Sequence, residues 1–307
     1  MRMDALRNTW ILTKARVRLA SRNRLFVFFS LLMPMIFLFG FVFFMARGRS
    51  TWIAYSLGNV LTLTVMGSFW GLSVQLVTFR EQGILRRFRL APVGAGPMLA
   101  SSILANYILI LPPVAVQVLT CRWFFHMRTW GNLWQALLLI TIGSATFAAF
   151  GLIVASVTNT MQETQLINQL IWLGFLFLSG ATVPVAAFPL WLQRVSLFLP
   201  ATYLATGLQS AMTQFSTVGE IAMDALALAI GCATAFEISR QLFRWEPETK
   251  VPGRAKLWVL TAMIPFVVLG VCENVTGAQL ARIRQNFDRL SSHTVNMKMI
   301  PQQGGNP

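Results

Sequence analysis

The stretch LFVFFSLLMPMIFLFGFVFFMA, Leu25 to Ala46, runs for 22 residues without a charged side chain. As a helix it rises about 33 Å, which matches a hydrocarbon core of about 30 Å. Irregular backbone is excluded from lipid because its N–H and C=O groups would find no partner there, so the stretch reads as a membrane-spanning helix. A secretory leader is not expected, since its apolar region runs to roughly 7–15 residues and ends at a small-residue cleavage site that this stretch lacks. The basic segment before it, from Arg2 to Arg24, therefore precedes a retained anchor.

Working outward, the same pattern repeats. Of 307 residues 55% are hydrophobic and only 11% charged, against about 25% charged in soluble domains. The expected fold is all-α, a polytopic membrane helix bundle. Seven candidate spans are marked: Leu25 to Ala46, Trp52 to Phe79, Pro97 to Cys121, Leu133 to Val157, Thr164 to Val183, Ile221 to Ser239 and Leu257 to Cys272. The last is short and contains Pro265, so a re-entrant or interfacial course is open for it. Lys and Arg number sixteen in the N-terminus and the second, fourth and sixth connections, against five in the first, third and fifth. The richer side should be cytoplasmic. The net charge of +15 is then explained by topology and anionic lipid, not by nucleic acid.

Before the first span, Met3, Leu6, Trp10, Thr13, Val17 and Ala20 recur at helical spacing beside Arg7, Lys14, Arg18 and Arg22. This fits an amphipathic helix in the headgroup layer, with a plain stop-transfer cluster as the alternative. After the fifth span, Phe177 to Gln209 stays apolar but is broken by Pro184, Pro189 and Pro200 into pieces too short to cross a bilayer. Short helices dipping into the outer leaflet or capping the bundle are expected.

Catalytic chemistry is not in evidence. The lysines, Lys14, Lys250, Lys256 and Lys298, follow Thr13, Thr249, Ala255 and Met297, so no Gly-Lys-Ser/Thr phosphate loop exists. His126 and His293 stand alone, which points to no metal site, and Cys121, Cys232 and Cys272 read as buried free thiols. The acids Glu163, Glu220, Asp224 and Glu237 fall near span ends, where water and headgroups could solvate them. Uncharged polarity lies within the spans: Ser56, Asn59 and Thr62 on the second, and Gln162, Gln165, Asn168 and Gln169 on the fifth. Such stripes either bond neighbouring helices or line a polar path. Gly67 and Gly71 form a small-xxx-small pair on the second span.

The second connection, FREQGILRRFRLAPVG from Phe79 to Gly94, concentrates four arginines. Topology alone would supply them. It would not require Ile84, Leu85 and Phe88 to form an apolar face on a short helix ending at Pro92, a shape suited to a partner's groove.

Here the chain resembles the permease subunits of type-2 ATP-binding-cassette exporters. Their corresponding loop reads like E-R-E-x-G-T-L-x-R-L-R-x-x-P, and Arg80, Glu81, Gly83, Leu85, Arg87, Arg89 and Pro92 fit it, with Ile84, Arg86 and Phe88 between them. Their segment after the fifth span resembles Phe177-Leu178-Ser179-Gly180 with Pro184, then Pro189-Leu190-Trp191-Leu192-Gln193, then Pro200-Ala201-Thr202-Tyr203. The resemblance covers Met1 to Trp245. It implies a six-span exporter domain over residues 1–245, followed by an extension over 246–307 with an extra candidate span and a tail.

The resemblance further implies a homo- or heterodimer in the bacterial cytoplasmic (inner) membrane, N-terminus inside. A separate ATPase subunit would bind ATP and Mg, the permease itself holding no cofactor. Residues 80–92 would form the coupling helix on that subunit. Asn59, Thr62, Gln165, Asn168 and Gln169 would line the path, and Gly180, Pro184, Pro189, Trp191, Pro200 and Tyr203 would belong to the extracellular re-entrant motif. Cargo would be an amphipathic drug, a lipid or a glycan. A secondary transporter or channel independent of ATPase, and an assembly subunit without cargo, remain as alternatives.

Overall fold

The computed structural model describes residues 2–46, 49–85, 94–215, 217–243 and 261–296, and among them every regular element is helical. In chain order these are α1 (Arg2–Arg22), α2 (Arg24–Phe41, continued by a π turn Val42–Ala46), α3 (Ser50–Glu81), α4 (Ala95–Trp123), α5 (Leu133–Val157) and α6 (Met161–Leu178). A single 3-10 turn (Val185–Ala187) follows, then α7 (Leu190–Ser196), α8 (Pro200–Thr213), α9 (Val218–Gln241), α10 (Ile264–Thr276) and α11 (Ala278–Asn296).

Local signals set the ends. Asn23 breaks α1 from α2 by accepting the N–H of Phe26 at 3.1 Å, and Thr160 caps α6 by accepting that of Glu163 at 3.2 Å. At the start of α9, Thr217 and Glu220 form a reciprocal capping box, which satisfies two helix-end donors at once. Proline at the head of α8 supplies a fixed φ where no donor is needed.

Among the described residues five helices are long and apolar enough to cross a membrane: α2 with its π turn, α3, α4, α5 and α9. The pair α10–α11, bent by 70°, makes at most a sixth. The fifth expected span, Thr164 to Val183, is displaced: α6 starts at Met161 and stops at Leu178, before Gly180. Its 18 residues rise about 27 Å, and its glutamines keep it out of the strongly apolar set. The chain is an integral membrane protein with a helix-bundle core.

Helix α3 is the hub. It is buried without interruption from Ile53 to Leu63, because α5 and α8 pack against it on different sides. Contact with α5 is close enough that a Cβ added at Gly151 would sit 2.3 Å from the Phe69 carbonyl oxygen. Next to this seam Phe175 of α6 stacks edge-on with Phe69 and Phe147, at 6.0 and 5.6 Å between centroids. Helix α8 is enclosed, every residue from Pro200 to Met212 being buried.

The seventh candidate, Leu257 to Cys272, lies partly outside the described residues, as does the expected domain boundary at 245. Its regular part, α10, has 13 residues and so rises only about 20 Å, too little to cross alone. It runs along α9, with Phe266 covering Gly231 and facing Phe150 and Tyr203. The chain then turns at Gly277, and α11 lies over the hairpin of α7 and α8. The tail helix is therefore on the end of the bundle that carries the hairpin. One thiol reading is corrected: Cys121 is buried, but Cys272 is exposed on α10.

Candidate functional site

The end of the bundle bearing α1 and the basic second connection is tied together by the last turn of α3. Arg80 is almost fully buried and donates to the carbonyls of Ala155 at 2.8 Å and Thr158 at 2.7 Å, at the end of α5. Those carbonyls are helix-end groups with few donors of their own, so the guanidinium acts as a strut. Glu81 accepts the N–H of Met161 at 2.8 Å, at the start of α6, where a carboxylate also suits the helix dipole. One turn of α3 thus holds the ends of two other helices. Gly83, at φ 68°, turns the chain out of α3.

Beyond it, Ile84 is half-buried and Leu85 fully buried in a cluster with Leu76, Met98, Leu99 and Leu152. Arg80 and Leu85 are turned into the bundle, because unpaired carbonyls and an apolar gap there claim them. Arg86, Arg87, Phe88, Arg89 and Pro92 lie outside the described residues. Helix α1 seats on α4 through buried Thr13, and Arg16 stacks over Phe79 at 5.6 Å. Burial draws Arg16 down to about 10, so it stays charged at neutral pH. Leu6 and Trp10 remain exposed.

The polar stripes divide. Asn59 is buried and accepts from Gln209 at 2.7 Å, while Gln209 also donates to the Gly180 carbonyl at 2.9 Å. Thr62 is buried and donates back to the Gly58 carbonyl, and Asn168 is buried and donates to Ser73 at 2.6 Å. Asn59 and Asn168 thus bond α3 to α8 and to α6, while Thr62 is satisfied within α3. Gln165 and Gln169 are exposed, on a face of α6 shared with Leu166, Leu170, Leu173 and Phe177.

At the hairpin end, Gly180 and Pro200 are buried, Pro184 is half-buried, and Pro189 and Trp191 are exposed. Tyr203 donates to the Leu197 carbonyl at 3.0 Å and so closes the corner between α7 and α8. Helix α11 is laced over this hairpin. Arg282 forms a buried ion pair with Asp224 of α9, Gln279 reaches both Asp224 and Thr206, and Asn286 donates to Ser210. Arg284 donates to Gln193 at 2.9 Å, and Phe287 meets Trp52 at the start of α3. The sequence reading of Asp224 as a solvated interfacial acid is thus overturned, since it is 1% exposed. A signal existed: Asp224, Leu228, Gly231 and Ala235 share the buried face of α9.

A polytopic bundle with this hairpin and this basic connection can be set beside known proteins. The family model described as ABC-2 type transporter matches residues 7–213. The chain belongs to the ABC-2 type transporter family. The matched residues form a membrane domain of such a transporter. The chain is also similar to the linearmycin resistance permease protein LnrN of Bacillus subtilis (strain 168), at 23% identity over 159 residues. That match covers 52% of this chain and 41% of the relative, so the chain spans under half of that protein's length. The ABC-2 family match stops before α9, leaving α9, α10 and α11 outside it.

Proposed function

We propose that this ABC-2 permease is the membrane half of an ATP-driven exporter in the bacterial cytoplasmic membrane, its N-terminus and basic connections inside. A separate ATPase subunit binds ATP and Mg and presses on the second connection, around Ile84 and Phe88. The observation that carries this reading is the strut at the end of α3: Arg80 and Glu81 fasten the start of that connection to α5 and α6. A force applied there reaches three helices together without any of them having to melt.

The working unit is a dimer whose subunits meet through the exposed α6 face, with Gln165 and Gln169 giving the seam its polarity. The cargo is amphipathic. A relative named for linearmycin resistance is in keeping with export of a toxic compound.

The test is transport in proteoliposomes containing the permease and its ATPase. Phe88→Asp should abolish ATP-dependent export while leaving membrane insertion and thermal stability unchanged. Undiminished export by that variant would overturn the coupling role. Export that persists without the ATPase and follows an ion gradient would overturn the ATP-driven reading as a whole.

A further inference from the structure

Helices α2, α3 and α4 line a groove of about 300 Å³, with Trp172 of α6 also in its wall. Its wall is apolar, built from residues such as Phe29, Met33, Phe37, Leu63 and Ile110, and no ionisable side chain lines it. It sits near the middle of α3 and α4 and against α2 from Phe26 to Phe37, at a depth where an unsatisfied polar group is costly.

Yet polar residues stand in its wall. Ser68 is 1% exposed, lines the groove, and its hydroxyl has no hydrogen-bond partner. Asn106 lines it from α4, and its side-chain nitrogen is likewise buried and unpartnered. Six other buried side-chain atoms among the described residues also lack a partner, Ser56 Oγ of α3 included. Thr62, Thr64 and Thr78 on the same helix each satisfy their hydroxyls on the carbonyl one turn back. Two prolines add acceptors: Pro34 and Pro113 lack an N–H, so the carbonyls of Ser30 and Leu109, both in the groove wall, lose their ordinary helical donors.

We infer that this groove is an intramembrane binding site for a neutral amphiphile, an apolar chain bearing an uncharged hydroxyl or ester oxygen that pairs with Ser68 and Asn106. Charge complementarity selects the occupant. Buried N–H and O–H dipoles ask for a neutral acceptor, and the absence of any ionisable side chain rejects an anionic or cationic head. This names the cargo class and so rests on the exporter reading, but binding itself needs no ATPase.

The experiment uses the full chain in phosphatidylcholine nanodiscs, without nucleotide or partner. The probe is a diacylglycerol carrying a photoactivatable diazirine on one acyl chain. Labelling is expected on peptides containing Met33, Ser68 and Asn106. The Ser68→Ala, Asn106→Leu double variant should lower labelling about tenfold, the scale of one or two lost hydrogen bonds. Gly67→Leu should abolish it by filling the groove, since nothing lies within 4 Å of a Cβ there. Thermal unfolding of each variant checks that the bundle is intact.

A diazirine alkane without oxygen should label weakly and be indifferent to the double variant. Equal labelling by alkane and diacylglycerol, or by a phosphatidic acid analogue, would overturn the site as a selective one. Labelling that survives Gly67→Leu would overturn its location. Because no ATPase is present, these results stand apart from any failure of ATP-driven export.

Discussion

The ion pair between Asp224 and Arg282 shows what a single residue contributes here. Two charges removed from solvent stabilise the fold only while both are present, and deleting one strands the other. Arg282→Ala is expected to cost about 3–5 kcal/mol, read as a lowered unfolding midpoint in detergent. The double variant Asp224→Leu, Arg282→Leu should recover most of the loss, since apolar replacements of a buried pair are often nearly neutral. Sequence reading located Asp224 correctly along its helix but could not pair it. Its partner lies 58 positions later, beyond a stretch whose course no periodicity reveals. The partners of Arg80 were hidden for a related reason: the carbonyls it satisfies lie 75 and 78 positions later in the chain.

Among elements, the contact between α3 and α5 depends on the lack of a side chain at Gly151. Gly151→Ala would press a methyl against the Phe69 carbonyl, so one helix must shift, at about 3 kcal/mol for overpacking of this kind. A thermal-shift measurement would detect it, whereas Gly67→Ala, whose Cβ meets nothing within 4 Å, should be close to neutral. The apolar runs were legible because lipid demands long unbroken helices. Both ends of α6 slipped because Thr160 and Gly180, not hydropathy, bound it. The short helices α7 and α8 could be expected from their prolines, but the complete enclosure of α8 could not, since its sequence is only moderately apolar.

For the whole molecule, exposure is uneven in a telling way. Helix α8 is sealed inside and α3 and α5 are mostly buried, α2 turns its phenylalanines outward, and α6 exposes a face of mixed glutamine and leucine. Lipid suits the first exposed surface and a second subunit suits the other. Gln165→Cys and Gln169→Cys should therefore form cross-links between copies in membranes, while Met223→Cys, exposed on α9, should not. Cross-linking confined to Met223 would place the seam elsewhere. The order of spans was readable from charge and hydropathy, but the seat of α11 over the hairpin was not, because its contacts are side-chain hydrogen bonds gathered from α7, α8 and α9.

Helix α3 can finally be regarded as a lever. Its grip on Gly151 at Phe69 serves as a fulcrum, with Glu81 at one end and Trp52, touched by Phe287 of α11, near the other. At about 1.5 Å per residue the inner arm is about 18 Å and the outer arm about 26 Å. A displacement of about 1.5 Å at the basic end would then arrive beneath α11 as about 2 Å, enlarged in the ratio of the arms.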